Sequence, residues 1–403
     1  MRSIKKLLLN IKPIYLLNKE IKKKKVKTQY NKISQHYELM ESASLSELLL
    51  SKGFTKDWFY AFQLRKCKVL FIGTDENQDK GGFVQSLSKF FDVKFFEDPT
   101  INWGHKRDGS ARDSNAKLLE KYLCKEAQTG LGFDIVLMQA MGKSFNSFDL
   151  MELRERYKFK LINIGMDERL AYKLNTPSCV SQNYGISGLN DVVDLCLTTC
   201  PEVVDWYLKE KVPAIYFPLA SSKEIYFPIS STRKIFDVGF VGSKYGARVE
   251  IIEFLIKNGI NVKCYGPGWT NGPLEPEFNN QFYNECKIVL GFGGIGYCED
   301  FTNPKLRDFE VPLTGTLYMT TYTKELDDIY CGDEGIVLFK NKIELLEKIR
   351  IMLNDDSLRQ CIAKKGMEIA LTYHTFDERF KCFNDAIVNG RLEASTFFGK
   401  IGI

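Results

Sequence analysis

The densest group of chemistry-bearing residues in the chain is Asn303-Pro304-Lys305-Leu306-Arg307-Asp308-Phe309-Glu310-Val311-Pro312-Leu313-Thr314-Gly315. Asn303 has an N-capping side chain and Pro304 suits a first helical position, so the spacing predicts a helix beginning here. A helix start offers unpaired N–H groups and the positive end of a dipole, which suits a diphosphate, and Lys305 falls in its first turn. Arg307, Glu310 and Thr314 follow at i, i+3 and i+7, one line along one helical face. A carboxylate at Glu310 could take both hydroxyls of a ribose, as acids do in dinucleotide-binding folds. The alternative is an ordinary ion pair of Arg307 with Glu310 on a solvated face. Pro312 removes a helical hydrogen bond and is expected to kink or end the helix before Thr314.

A second group follows the apolar run Asp237-Val238-Gly239-Phe240-Val241, in Gly242-Ser243-Lys244-Tyr245-Gly246-Ala247-Arg248. The turn after the first strand of a doubly wound sheet is where phosphate-facing loops sit, which makes Gly242, Ser243 and Arg248 donor-binding candidates. The spacing matches neither a dinucleotide fingerprint nor a P-loop, and a tight strand-to-helix turn would need the same small residues. Tyr265-Gly266-Pro267-Gly268-Trp269 reads as a strand end and turn able to face a nucleotide base through Tyr265 and Gly266, or simply to pack Trp269. The GxGxxG match at Gly291, Gly293 and Gly296 follows a middle strand and runs into Tyr297-Cys298-Glu299-Asp300, the wrong context for a dinucleotide. It reads as a flexible loop beside the Asn303 helix start, or as a plain turn. Earlier, Gly73-Thr74-Asp75-Glu76 ends an apolar run and Gly81-Gly82 opens the next helix, small residues that admit a ligand to the backbone.

These groups need a scaffold. Strand-length apolar runs begin at Lys68, Val93, Asp134, Lys160, Val192 and Ala214, with helix-length sequence between most of them. A second series begins at Asp237, Asn261, Lys287, Thr316 and Gly335. Continuous apolar runs alternating with helical spacers predict parallel strands buried on both faces, hence an α/β chain of two Rossmann-like domains. Pro218, Pro228 and Ser230-Ser231-Thr232 mark the break between them. The expected organisation is a basic helical extension over 1–66, a first domain over 67–229 and a second over 236–375. The segment 376–403 is expected to cross back, because Phe376, Phe380, Phe383 and Ile387 share one helical face.

At 403 residues, 44% hydrophobic and 27% charged, the chain is an ordinary globular one of about two domains. Its net charge of +5 is local: residues 1–30 hold ten Lys/Arg and one acid, a net of +9, which leaves −4 for everything after. A nucleic-acid enzyme would carry its basic surface on the folded body, so no nucleic-acid partner is expected. Residues 1–30, with Lys22 to Lys25 after two apolar clusters, read either as a solvated helix or as a segment lying on anionic lipid. Asn10, Lys12 and Pro13 interrupt the apolar part and argue against a signal peptide or span. Eleven cysteines without a CxxC pair, and only His36, His105 and His374, argue against a metal centre and for buried thiols in a reducing, cytoplasmic setting.

Asp237 to Gly242 with Arg248, then Tyr265-Gly266-Pro267-Gly268-Trp269, then Arg307-Asp308-Phe309-Glu310 with Gly315, and finally Tyr373-His374-Thr375-Phe376-Asp377-Glu378-Arg379 resemble the CgeB-type glycosyltransferase family. That family is close to the family-1 and family-4 GT-B transferases, and the resemblance covers about residues 200–385. It implies a GT-B architecture, two Rossmann-like domains facing an interdomain cleft. A nucleotide-sugar donor would be held mainly by the C-terminal domain, with a glycan, lipid-linked or protein acceptor on the N-terminal one. The resemblance also implies a place in polysaccharide biosynthesis, no obligatory metal, and no cofactor, the nucleotide-sugar being a substrate. Independently, the chain contains no Asp-x-Asp, the usual metal-binding signature of the competing GT-A architecture. By resemblance Glu310 binds the donor ribose and the enzyme is a retaining one. The related retaining enzymes carry a further glutamate eight residues earlier, where this chain has Thr302.

On this reading Lys305 and Arg307 are catalytic, stabilising the charge that develops on the departing diphosphate. Gly242, Ser243, Arg248, Tyr265, Gly266, Asn303, Glu310, Thr314 and Gly315 bind the donor. Asp75, Glu76, Gly81, Gly82, His105 and Asp167 are acceptor-side candidates, the acids and His105 serving as base if the reaction inverts. The rivals are a sugar-nucleotide epimerase, and a non-catalytic GT-B-like polysaccharide-binding or coat protein. The expected location is cytoplasmic, with residues 1–30 either solvated or peripheral on the inner face of the membrane.

Overall fold

A computed structural model describes residues 12–73, 79–96, 109–174, 183–295 and 298–397. The chain divides into two units, Met40–Ile225 with Leu371–Ile403, and Met1–Leu39 with Tyr226–Ala370.

In the first unit, β1 (Lys68–Ile72), β2 (Asp92–Phe95), β3 (Ile135–Met138), β4 (Lys160–Gly165), β5 (Leu195–Thr198) and β6 (Ala214–Tyr216) form one sheet in the order β2-β1-β3-β4-β5-β6. Every pairing is parallel. β3 and β5 are buried throughout, which is why their sequences are unbroken apolar runs rather than alternating ones. Helix Phe376–Val388 belongs to this unit. Thr375 caps it by accepting from Glu378 N, and Phe380, Phe383 and Ile387 are at most 2% exposed. Each such side chain stabilises the seat by roughly 1.5–3 kcal/mol. Arg379 fastens its start by donating to the carbonyls of Pro218 and Tyr373 at 3.0 and 2.7 Å.

In the second unit, β7 (Phe236–Val241), β8 (Val262–Tyr265), β9 (Cys286–Leu290), β12 (Leu317–Thr321) and β13 (Val337–Phe339) form a parallel sheet in the order β13-β12-β9-β7-β8. Its core joins Val238, Phe240, Ile288, Leu290, Met319 and Val337 to Ile252, Leu255 and Ile349 from the flanking helices.

Two expectations about organisation change. The segment 1–66 is not one extension: helix Lys12–Glu38 groups with the second unit, while helices Leu45–Ser51 and Lys56–Leu64 group with the first. The reason is aromatic packing, since the Tyr30 ring lies 4.6 Å from Phe301 whereas Phe54, Phe59 and Phe62 are buried in the first unit. The glycine-rich stretch after β9 is not simply a flexible loop either. It forms an antiparallel hairpin of β10 (Gly294–Ile295) and β11 (Cys298–Thr302); Gly296 lies outside the described residues.

Candidate active site

β7 lies between β8 and β9, so the chain leaves it toward opposite sides of the second sheet. Ligands of doubly wound sheets gather beyond the strand ends at such a reversal. The turn after β7 is built for close approach. Gly242 N donates to Tyr265 O, Lys244 N to Pro267 O and Trp269 Nε1 to Gly242 O, each at 2.8 Å. Gly266 has φ +131°, and a Cβ there would lie 2.3 Å from Gly242 O. Gly266→Ala is therefore expected to destabilise the second unit by about 1–3 kcal/mol, measurable by denaturant unfolding. In this turn Tyr265 contributes its carbonyl, while its ring packs edge-on against Phe282 at 5.0 Å. Trp269 packs too, 6.1 Å from Phe240.

Two guanidiniums converge on Gly242. A Cβ at that position would meet Arg307 Nη2 at 3.2 Å and Arg248 Nη1 at 3.5 Å. Their Cζ atoms lie 5.3 and 5.6 Å from the Phe240 ring, and Arg248 also lies 4.2 Å over Tyr245. Arg248 Nη1 donates to Ser243 O at 3.2 Å. Arg307 Nη1 is buried and makes no hydrogen bond, and neither guanidinium forms a salt bridge among the described residues. Burial, and then the charge of Arg307, push the Arg248 guanidinium down to about 10. Burial also opposes the Arg307 charge, but Tyr283, Tyr318, Glu310 and Asp308 more than offset it. Two partly desolvated cations facing one glycine, with a donor left over, form an arrangement whose chemistry suits an anion.

Glu310 is half-buried beside Tyr226 and Tyr283, whose hydroxyl donates to Oε2 at 3.5 Å. Burial raises its carboxyl to about 7 against the opposing field of Arg307. Among the described residues Glu310 forms no ion pair with Arg307, and its hydrogen-bonding partners are the hydroxyls of Tyr226 and Tyr283.

The helix start differs from expectation. The helix runs from Arg307 to Leu313, and Asn303 does not cap it. Asn303 is buried and its N–H donates to Gly293 O at 2.9 Å, tying the hairpin to the segment ahead of the helix. The Lys305 N–H is taken by the carboxylate of Asp308, whose other oxygen accepts from Tyr318 at 2.6 Å. An acid of the helix's own first turn thus occupies the place where a diphosphate was expected. Lys305 is half-buried two residues before the helix. Pro312 lies inside the helix, and Thr314 ends it with Oγ1 donating to Val311 O at 2.7 Å. Thr314 is 2% exposed, so it does not continue the Arg307–Glu310 line toward solvent. Gly315 takes φ +67° just past the helix end, a backbone role.

A pocket of about 440 Å³ opens beside Arg248, lined among others by Tyr245, Phe292, Thr302, Thr321, Tyr322 and Phe339, with Lys340, Asn341 and Lys342 at its polar side. Phe292 and the aromatic lining escaped the sequence reading, because a lone aromatic after a strand is indistinguishable from core. Tyr226, in a bend, and Tyr283, inside helix Asn279–Glu285, flank Glu310 and were missed because a buried tyrosine in either setting reads as core.

Of the acceptor-side candidates, Asp75, Glu76 and His105 lie outside the described residues. Gly81 and Gly82 form a kinked turn in which Gly82 has φ +109° and abuts Ser222. Asp167 follows β4 in a left-handed conformation, φ +56°, unusual for a residue with a side chain.

Comparison with known proteins bears on the architecture. Residues 248–385 match the family model described as glycosyl transferase-like. The chain superposes on sucrose-phosphate synthase from Thermosynechococcus elongatus with a TM-score of 0.54 and 13% identity, over 79% of this chain and 98% of that one. For Anabaena HepE in complex with UDP the values are 0.51 and 12%, over 80% and 100%. For a glycosyltransferase from Rickettsia africae they are 0.51 and 11%, over 81% and 98%. The fold is GT-B. Among curated proteins, no sequence matches the chain. Within this GT-B chain the matched family region takes in Arg248, Arg307, Glu310 and most of the aromatic pocket.

Proposed function

We propose that the protein is a glycosyltransferase that draws a sugar from a nucleotide-sugar donor held by the second unit, and that it is of the CgeB type. The observation that carries this reading is the pair Arg248 and Arg307 around Gly242, with Arg307 Nη1 buried and without a partner among the described residues. A diphosphate supplies the missing acceptors, the aromatic pocket beside Arg248 suits a base, and Glu310, three residues after Arg307, suits the ribose hydroxyls. The two guanidiniums then stabilise the negative charge that grows on the diphosphate as the glycosidic bond breaks, a contribution that needs no metal or cofactor. The sugar passes to a glycan, lipid-linked or protein acceptor in the cytoplasm, and the stereochemical course follows the resemblance, retention.

Thermal-shift screening with UDP-, GDP-, ADP- and CMP-sugars tests the reading, because a ligand of the folded state raises apparent stability by mass action. One nucleotide class should stabilise the protein. Glu310→Gln should then weaken that nucleotide about 10–100-fold, the loss of hydrogen bonds to a charged acceptor. No shift with any nucleotide sugar would remove the proposal, and an unchanged affinity in Glu310→Gln would remove the ribose assignment.

A further inference from the structure

The helix Lys12–Glu38 has two dissimilar faces. From Glu20 onward, Lys23, Val26, Tyr30, Ile33 and Tyr37 recur at helical spacing and are half-buried or buried. Tyr37 is 1% exposed, and Tyr30 packs on Phe301 of β11. The opposite line, Ile21, Lys24, Lys25, Thr28, Lys32 and Gln35, recurs at i, i+3, i+4, i+7, i+11 and i+14 and is exposed throughout. Lys24, Lys25 and Lys32 form no ion pair among the described residues, and the acids along this stretch are Glu20 and Glu38. A helix seated by one face and basic on the other is a surface, not a frayed tail.

We propose that this outward face docks on an anionic membrane surface, and that Tyr30 and Phe301 thereby hold the β10–β11 hairpin at that surface. Charge complementarity favours phosphate-bearing lipid, and Ile21, 56% exposed in the same line, adds an apolar contact that a lipid interface accommodates. A polynucleotide would also meet the lysines, but it would face the net −4 of the chain beyond residue 30 and gain nothing from Ile21. Among the described residues, no helix is long and apolar enough to cross a membrane, so the contact is peripheral. β11 ends at Thr302, which lines the pocket beside Arg248. Lipid contact is thus one helix and one hairpin away from the donor pocket; this last step rests on the function proposed above, the docking does not.

The test is flotation of the full chain with vesicles of phosphatidylcholine alone or with about one-third phosphatidylglycerol. The wild type should float with the anionic vesicles only, and less so as salt rises. Replacing Lys24, Lys25 and Lys32 together by Gln should lower partitioning about a hundredfold, with an unchanged melting temperature as the check on folding. Amide exchange in the β10–β11 peptide should slow when anionic vesicles are added to the wild type and not to the triple variant. No flotation, equal flotation with neutral vesicles, or an unaffected triple variant overturns the docking. Displacement of the protein from vesicles by a short RNA duplex at lower concentration assigns the face to nucleic acid and also overturns it. Unchanged exchange despite flotation removes the link to the hairpin. None of these readouts uses a nucleotide sugar, so their failure is separable from failure of the donor reading.

Discussion

Arg248→Met and Arg307→Met should both cripple glycosyl transfer, and Arg248→Met should at the same time leave a more stable protein. Arg307 offers a buried donor that nothing among the described residues satisfies, which on the proposed function is the donor a bound diphosphate takes up. Removing one such preorganised donor lowers turnover by about 10²–10³-fold. Arg248 pays for function in the unloaded state: burial and the neighbouring Arg307 push it from 12.5 down to about 10. Its charge at neutral pH therefore opposes folding, by about 3 kcal/mol at 1.36 kcal/mol per pH unit. Methionine keeps most of the contact with Phe240 and Tyr245 and discards the charge. Thermal unfolding with and without inorganic pyrophosphate should show a higher midpoint for Arg248→Met alone and a smaller gain on adding the anion. A variant that melts lower than wild type, or responds to pyrophosphate as strongly, would contradict the assignment of an anion site.

The second large effect concerns pH and lies in the first unit. Glu168, directly after Asp167, is fully buried, and neither carboxyl oxygen makes a hydrogen bond of ordinary geometry among the described residues. Burial raises it to about 7, only partly opposed by Thr198 and Cys200. The unfolded chain gives up this proton near 4.5, the folded one near 7, so between those values the native state binds more protons. Stability contributed by the protonated group is complete below pH 4.5 and declines as pH rises toward 7, by about 3 kcal/mol in all. Glu168→Gln, which cannot ionise, should match wild type near pH 5 and exceed it by about that amount at pH 8, in denaturant titrations that follow the first unit. Equal pH profiles for the two proteins would place Glu168 in contact with solvent or with a cation. Glu310 titrates in the same window from the second unit. Comparing the variant with wild type at each pH removes that common slope.

Much of the architecture was legible in the chain. All eleven strands of the two parallel sheets fall on the apolar runs, because strands covered on both faces have no solvent side to alternate with. The face of helix Phe376–Val388 was legible for the related reason that burial recurs every three to four residues. The chemistry was legible only as an inventory. Arg248 and Arg307 stand 59 positions apart, and nothing in their spacing says that both reach Gly242. The expected cap at Asn303 failed because local propensity assumed that the helix would begin at Pro304. Tertiary contacts of Asn303 with Gly293, and of Asp308 with Tyr318, moved the start to Arg307.

The amino-acid sequence by itself determined the fold class, the parallel strands and the residue types available to bind a diphosphate and a ribose, since those follow from hydrophobic period and side-chain chemistry along the chain. Tertiary structure alone decided which cations meet, that Arg307 and Glu310 do not neutralise each other as a pair, and which face of the N-terminal helix is left basic. Those outcomes depend on burial and on distances between segments far apart in sequence, where desolvation and unpaired hydrogen-bonding groups set the energies.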